Sequence, residues 1–348
     1  MPNITMKEIA KRAGVAQPTV SKVLNNKYQD IKPETRERVL KVIKELNYQP
    51  NYMASSLRSG KTYNIGLTGG NILNFHFRYF SDIAACMEDA LIDVDPRYSL
   101  IIFGSNYSES HKKAMELIKT KMTEGLLFVL ISENIENFKK VTAPFLNAID
   151  LPFVAIHSVS QKLPFNNAGV DTEHGGYLAG KYLAEKGRKD IRLYGYNYRM
   201  PQIQDMVKGL SRGMAEHGLK YDQSKVILPS RPLESQGYSR AMIRTAYQTI
   251  MELDTCPEAL VVPHDDLAIG AARAVKDRGW QTGEEIEIVY FNTAEPNPYL
   301  EKELPNVTHP VKEKSAAAMK MLIDILENKI DTNAVHQELL KPTLVLPE

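Results

Sequence analysis

Five side chains close to the N-terminus carry hydrogen-bonding groups in close succession: Gln17, Thr19, Ser21, Lys22 and Asn25. Two amides, two hydroxyls and an ammonium are the groups that meet base edges and phosphate oxygens. Hydrolytic or transfer chemistry would need a nucleophile, a base and an oxyanion donor. Gly209–Gly213 has Gly-x-Ser-x-Gly spacing and Gly175–Lys181 has Gly-x-x-x-x-Gly-Lys spacing, but both fall inside helical patterns, so neither makes a nucleophile elbow or a phosphate-cradling loop. Tyr182 also stands where such a loop carries Ser or Thr, and the Gly-x-Gly-x-x-Gly fingerprint is absent. Its two cysteines, Cys86 and Cys256, form neither a disulfide framework nor a zinc pattern. His264-Asp265-Asp266 has metal-ligand types, but three adjacent residues are expected to diverge rather than face one ion. The expectation is a protein that is not an enzyme, with no cofactor and no metal.

The elements that would position the polar set are short helices. Thr5-Met-Lys-Glu8 has the form of a capping box. Ile9, Ala10 and Ala13 then share a face, and Gly14 suits the left-handed residue past a helix end. After Val15-Ala16, Pro18 fits the first turn of a second helix. Val20, Val23 and Leu24 face inward there, which leaves the polar set outward. A third helix from Pro33 places Val39, Leu40, Ile43 and Leu46 at helical spacing. Two helices about a glycine turn, closed by a third, make a helix-turn-helix.

Charge agrees. Residues 1–60 hold eleven Lys/Arg against five Asp/Glu, whereas the remainder holds 32 against 37. A basic head on an acidic body points to nucleic acid more than to a membrane. The 348 residues, 43% apolar and 24% charged, suit two or three globular domains. The longest apolar run, 125–131, is far short of a bilayer span. No secretion signal opens the chain, so a cytoplasmic location is expected.

The run from Thr5 to Asn25, with Thr35-Arg36, Leu46-Asn-Tyr-Gln-Pro-Asn51 and Ala54-Ser-Ser-Leu57, resembles the DNA-binding head and hinge helix of the lactose/galactose-repressor (LacI/GalR) family. The resemblance implies that Gln17, Pro18 and Lys22 meet bases in the major groove. It implies that Thr19, Ser21, Asn25 and Tyr48 hold phosphates, that Thr5 is a further DNA-binding residue, and that Ala54 and Leu57 belong to a hinge helix whose leucine wedges into the minor groove. Two positions depart from the family pattern. Lys22 replaces the usual arginine, so a forked grip becomes a point contact. Ala16 replaces a serine that caps the second helix. The stretch 50–60 is too short and serine-rich to be a stable helix alone, which suits folding on DNA.

Beyond residue 60, apolar runs read as strands at 63–67, 99–103, 126–130, 152–156, 191–194, 225–228, 259–262 and 286–290. Helical patterns lie at 77–93, 109–121, 173–187, 203–217, 235–251, 266–279 and 312–328. This alternation means parallel sheets covered by helices, too many units for one sheet. The resemblance refines the body to a two-lobed, periplasmic-binding-protein-like fold of two Rossmann-like parallel sheets. The expected organisation is an all-α headpiece over 1–49, a hinge over 50–60 and an effector-binding, dimerising body over 61–348. Its N-terminal lobe would be 61–160 with 293–308, and its C-terminal lobe 161–292 with 309–348, the chain crossing near 161, 292 and 309.

Ligands of open α/β sheets sit beyond the carboxyl ends of strands. The resemblance maps a ligand aspartate to Asp265, with Asp266 free to cap the helix that follows, and places Asn74, Phe75 and Phe77 in the cleft. Val170-Asp-Thr-Glu-His-Gly-Gly176 reads as structural, its glycines allowing close packing. Three sugar-gripping positions of the family are altered here: His157 and Asn292 stand for aspartates, and Met206 for an arginine that Arg199 could replace. With Tyr196 the pocket is aromatic and suits a sugar ring or a nucleobase equally. The implied function is a ligand-responsive transcription regulator, most simply a repressor. It would bind a pseudo-palindromic duplex operator as a homodimer, since no heptad tail follows Leu346, and would not contact a membrane. The competing reading is a solute-binding protein without a regulatory role, which leaves the helix-turn-helix idle.

Overall fold

The computed structural model describes residues 4–24, 29–48, 60–69, 78–103, 115–116, 118–130, 140, 143–158, 160, 163–195, 200–230, 238–293 and 297–347. The chain forms two compact units, Met1–Thr62 and Tyr63–Glu348.

The first unit holds α1 (Met6–Ala13), α2 (Gln17–Leu24) and α3 (Pro33–Glu45). Thr5 Oγ1 caps α1 by accepting from Glu8 N at 3.3 Å. The reciprocal half of the capping box is replaced, because the Glu8 carboxylate accepts from Arg12 Nε at 3.3 Å. Gly14 takes φ 63°, and Val15 N donates back to Ala10 O at 3.0 Å, which closes the helix end. Arg38 Nε of α3 donates to Ala13 O at 2.8 Å, placing a cation on the C-terminal carbonyls of α1. The core is Ile9, Ala10, Ala13, Val20, Val23, Val39 and Val42. Leu40, expected inside, is 40% exposed, and Val42 takes the inner place.

The second unit holds two six-stranded sheets. The first is ordered β11-β5-β4-β3-β1-β2 and is parallel throughout. Its strands are β1 (Asn64–Gly69), β2 (Ser99–Ile102), β3 (Gly125–Val129), β4 (Phe153–His157), β5 (Asn167–Val170) and β11 (Gln337–Leu340). On β3, Leu127 and Val129 enter one core with α4 (Arg78–Val94) and α10 (Val311–Leu326), while Leu126 and Phe128 enter another with Phe145 and Leu146 of α5 (Ala143–Asn147). Burial on both faces explains why this strand is an unbroken apolar run.

The second sheet is ordered β12-β10-β9-β8-β6-β7, with only the β10–β12 pair antiparallel. Its strands are β6 (Ile191–Tyr194), β7 (Val226–Ile227), β8 (Ala259–Val262), β9 (Glu287–Thr293), β10 (Asn306–His309) and β12 (Leu344–Val345). Helices α6 (Thr172–Glu185) and α7 (Pro201–Ala215) cover one face, and α8 (Tyr238–Met251) with α9 (Asp265–Asp277) the other. The contact of α6 with α7 is a glycine seam. A Cβ on Gly176 would lie 2.6 Å from Met206 O, and one on Gly209 would lie 2.0 Å from Glu173 O.

The lobe boundaries differ from those expected. At Ser160 the chain does touch the second lobe: Ser160 N donates to Asp205 Oδ2 of α7 at 2.8 Å, and Ser160 Oγ donates to Asp171 Oδ1 at 2.9 Å. It then returns to pair β5 with β4, and passes over only at Asp171. Among the described residues no crossing occurs near 292, because β9 pairs with β10 in the same sheet. Residues 297–308 therefore belong with the second sheet. The return comes at Pro310, leading into α10 on the first sheet, close to the crossing expected at 309. A last passage, between Leu340 and Leu344, was not expected. Strands β5, β10, β11 and β12 are short and lack an alternating pattern, so their pairing is a matter of tertiary contact.

Candidate nucleic-acid interface and ligand site

On α2, Val20 and Val23 are buried, which turns Gln17, Pro18 and Lys22 out to solvent. Thr19 and Ser21 flank them, half-buried. The helix starts on backbone alone, Thr19 N donating to Ala16 O at 2.9 Å, since Ala16 has no side-chain acceptor. Lys22 Nζ donates to Asp30 Oδ2 at 3.2 Å. Thr5 is exposed and occupied as the cap of α1. Tyr48 is half-buried against the head core, its N–H on Ile43 O at 3.0 Å. Asn25, Ala54 and Leu57 lie outside the described residues.

The carboxyl ends of the second sheet gather buried polar groups. His264, Asp265 and Asp266 follow β8, with the two aspartates 6% and 8% exposed. Contrary to the expected divergence, ligand-type atoms of all three come within 4.8 Å of one another. His264 is extended and folds its ring over the start of α9. Its Nδ1 lies 2.8 Å from Asp265 Oδ1 and 3.2 Å from Asp266 N, and Asp265 Oδ1 accepts from Asp266 N at 2.9 Å. The cap of α9 is thus His264, not Asp266. Both carboxylates sit in the first turn, where the helix dipole favours them.

Asn292 is buried on β9 opposite Thr308. His157 is 2% exposed at the end of β4. Its Nε2 is 2.9 Å from Asn167 Oδ1, and its ring fills the space above Gly169, where a Cβ would lie 2.3 Å from Cε1. Met206 is wholly buried in the core of the second lobe. Asn74, Phe75, Phe77, Tyr196 and Arg199 lie outside the described residues.

Residues 5–51 match the model for bacterial regulatory proteins of the lacI family, and residues 181–346 that for a periplasmic binding protein-like domain. The chain belongs to the LacI family. Among similar proteins, catabolite control protein A of Staphylococcus epidermidis is 28% identical over 99% of this chain and 96% of its own length. The HTH-type transcriptional repressor PurR of Edwardsiella ictaluri is 29% identical over 97% and 95%. In fold, the chain is similar to the lac repressor dimer bound to operator and the anti-inducer ONPF, with TM-score 0.77 and 21% identity, covering 99% of this chain and 98% of that one. It is also similar to the CelR–cellobiose complex, with TM-score 0.68, 19% identity and 99% of each chain. This LacI-family protein is a DNA-binding transcriptional regulator. Among its described residues no helix is long and apolar enough to cross a membrane.

Two groups of this LacI-family body escaped the sequence reading. His309 ends β10, 7% exposed, edge-on to Phe291 at 6.0 Å, with no hydrogen-bond partner for Nε2 among the described residues. Burial, reinforced by the nearby Lys314 ammonium, holds its pKa down at about 3. Lys314, in the first turn of α10, is 0% exposed. The only signal for either was the strand–proline junction at His309-Pro310, which means little until β10 is placed.

Proposed function

We propose that this protein represses transcription from a pseudo-palindromic operator as a homodimer, with affinity set by a small molecule bound between the two lobes. The observation that carries this is the exposed row Gln17, Pro18 and Lys22 on α2 of a basic three-helix unit, attached to a body whose second-sheet strand ends hold buried polar groups. Gln17 can pair with adenine, Pro18 can touch a thymine methyl and Lys22 can donate to guanine. Thr19, Ser21, Asn25, Tyr48 and Thr5 hold phosphates, and Ala54 and Leu57 belong to a hinge that folds on the duplex. Asp265 and Asn292 are the ligand groups best supported, with His309 beside them. Asn74, Phe75, Phe77, Tyr196 and Arg199 supply the rest of the pocket. His157 contributes by supporting the sheet, since its ring is committed to Asn167 and Gly169. The CelR–cellobiose complex supports a sugar effector, the aromatic residues assigned to the pocket suit a nucleobase-like one equally, and the protein works in the cytoplasm.

Effector and operator must alter each other's affinity by one common factor. The test is a thermal-shift screen of sugars, sugar phosphates and nucleobases, followed by operator titration with each hit. A ligand that stabilises the fold and changes operator affinity supports the reading. Absence of any sequence preference on duplex DNA, with and without hits, refutes it.

A further inference from the structure

We propose that Lys22 and Asp30 act together as the reader of one G·C base pair, the ammonium donating to guanine and the carboxylate accepting from cytosine. This rests on the reading of α2 as the base-facing helix. Lys22 Nζ and Asp30 Oδ2 lie 3.2 Å apart, with the two side chains 49% and 80% exposed. In a Watson–Crick G·C pair, guanine O6 and cytosine N4 are hydrogen-bonded to each other, hence about 2.9 Å apart. Both also face the major groove, O6 as an acceptor and N4 with its second hydrogen as a donor. A donor and an acceptor on the protein therefore match, in spacing and in sense, an acceptor and a donor on the DNA.

The other base pairs fit less well. A·T and C·G set a donor against the ammonium and an acceptor against the carboxylate. T·A keeps one acceptor beside one donor, but puts the thymine methyl where guanine offers N7 as a second acceptor to Lys22. The expected order is G·C, then T·A, then the remaining two. Lysine alone is a point donor without the fork of arginine, so the directional half of the contact falls to Asp30. The carboxylate also explains itself electrostatically. On the DNA-facing side of a head with eleven Lys/Arg, it opposes phosphate everywhere and is compensated only where a base offers it a hydrogen.

The full-length protein first selects its preferred duplex from a randomised pool. Lys22→Ala, repeated in that selection, identifies the position it reads. At that pair, cytosine is replaced by pyrimidin-2-one, which lacks the N4 amine, or guanine by 7-deazaguanine, which lacks N7. Wild type is expected to lose about 5–20-fold in affinity with pyrimidin-2-one. Asp30→Ala is expected to lose a similar factor on the natural duplex and to be indifferent to pyrimidin-2-one, yet still to feel 7-deazaguanine. The nearly isosteric Asp30→Asn, whose amide can donate, is expected to accept T in place of C at that position. Tighter binding of Asp30→Ala to every duplex with an unchanged selected sequence overturns the proposal, as does wild-type indifference to pyrimidin-2-one. A selection unaltered by both Lys22→Ala and Gln17→Ala instead removes the base-facing role of α2, and the proposal falls with it.

Discussion

Asp205 Oδ2 accepts a 2.8 Å hydrogen bond from Ser160 N, joining α7 of the second lobe to the connection between β4 and β5 of the first. The carboxylate is 6% exposed, and burial raises its pKa above the ordinary range, against the opposing pull of the Ser160 N–H and Lys208. Such a group favours the folded state when protonated, so its contribution is present at low pH and lost as pH rises through the raised pKa. Asp205→Asn keeps an acceptor for Ser160 and removes the buried charge. Its melting temperature is expected to match wild type near about pH 4 and to exceed it by about 2–4 °C near pH 8. A lower melting temperature at pH 8 would mean that the charge itself is needed.

His309 works in the opposite direction. Its pKa of about 3 in the fold lies below that of an exposed histidine, so the unfolded chain takes up the proton first. Stability from keeping it neutral is full above about pH 6.5 and is lost as pH falls toward 3. His309→Gln is expected to flatten the fall in urea midpoint across that window. A wild-type slope retained in the variant would assign the acid loss to other groups.

The α6–α7 seam leaves no room at Gly209, where a Cβ would meet Glu173 O at 2.0 Å. Backbone on both sides cannot yield as a side chain does. Gly209→Ala is expected to cost about 2–3 kcal/mol in chemical denaturation. A change below about 0.5 kcal/mol would show that the helices can separate freely.

Asp265 offers a separation of functions. Asp265→Ala removes a carboxylate that pairs with His264 and accepts from Asp266 N, so a modest loss of stability is expected from the start of α9. Beyond that baseline, the thermal shift produced by a cleft ligand should vanish, while operator affinity without ligand stays within about twofold, below 0.5 kcal/mol. A preserved shift would take Asp265 out of the ligand site.

In the head, Arg38 Nε on Ala13 O ties α3 to the end of α1. Arg38→Met keeps the stem and loses the donor, at an expected cost of about 1 kcal/mol to headpiece stability. Circular-dichroism melts of the protein read this directly, and an unchanged head transition would make the contact incidental.

What the sequence determined by itself was local. Thr5, Gly14, Pro18 and Pro33 mark helix ends within a few residues of where they act, and the spacing of Val20 and Val23 decides which side chains of α2 face out. The long apolar strands were equally legible, because a parallel strand buried on both faces must be a continuous apolar run. Tertiary structure alone decided which sheet receives β5, β10, β11 and β12, since four short strands carry little pattern and take their place from partners far away in the chain. It also turned His157 onto Gly169, brought His264 over the start of α9 and buried Lys314 and His309. The physical reason is common to all of these: helix ends and periodicity depend on neighbours a turn away, whereas burial and sheet pairing depend on which distant segments meet.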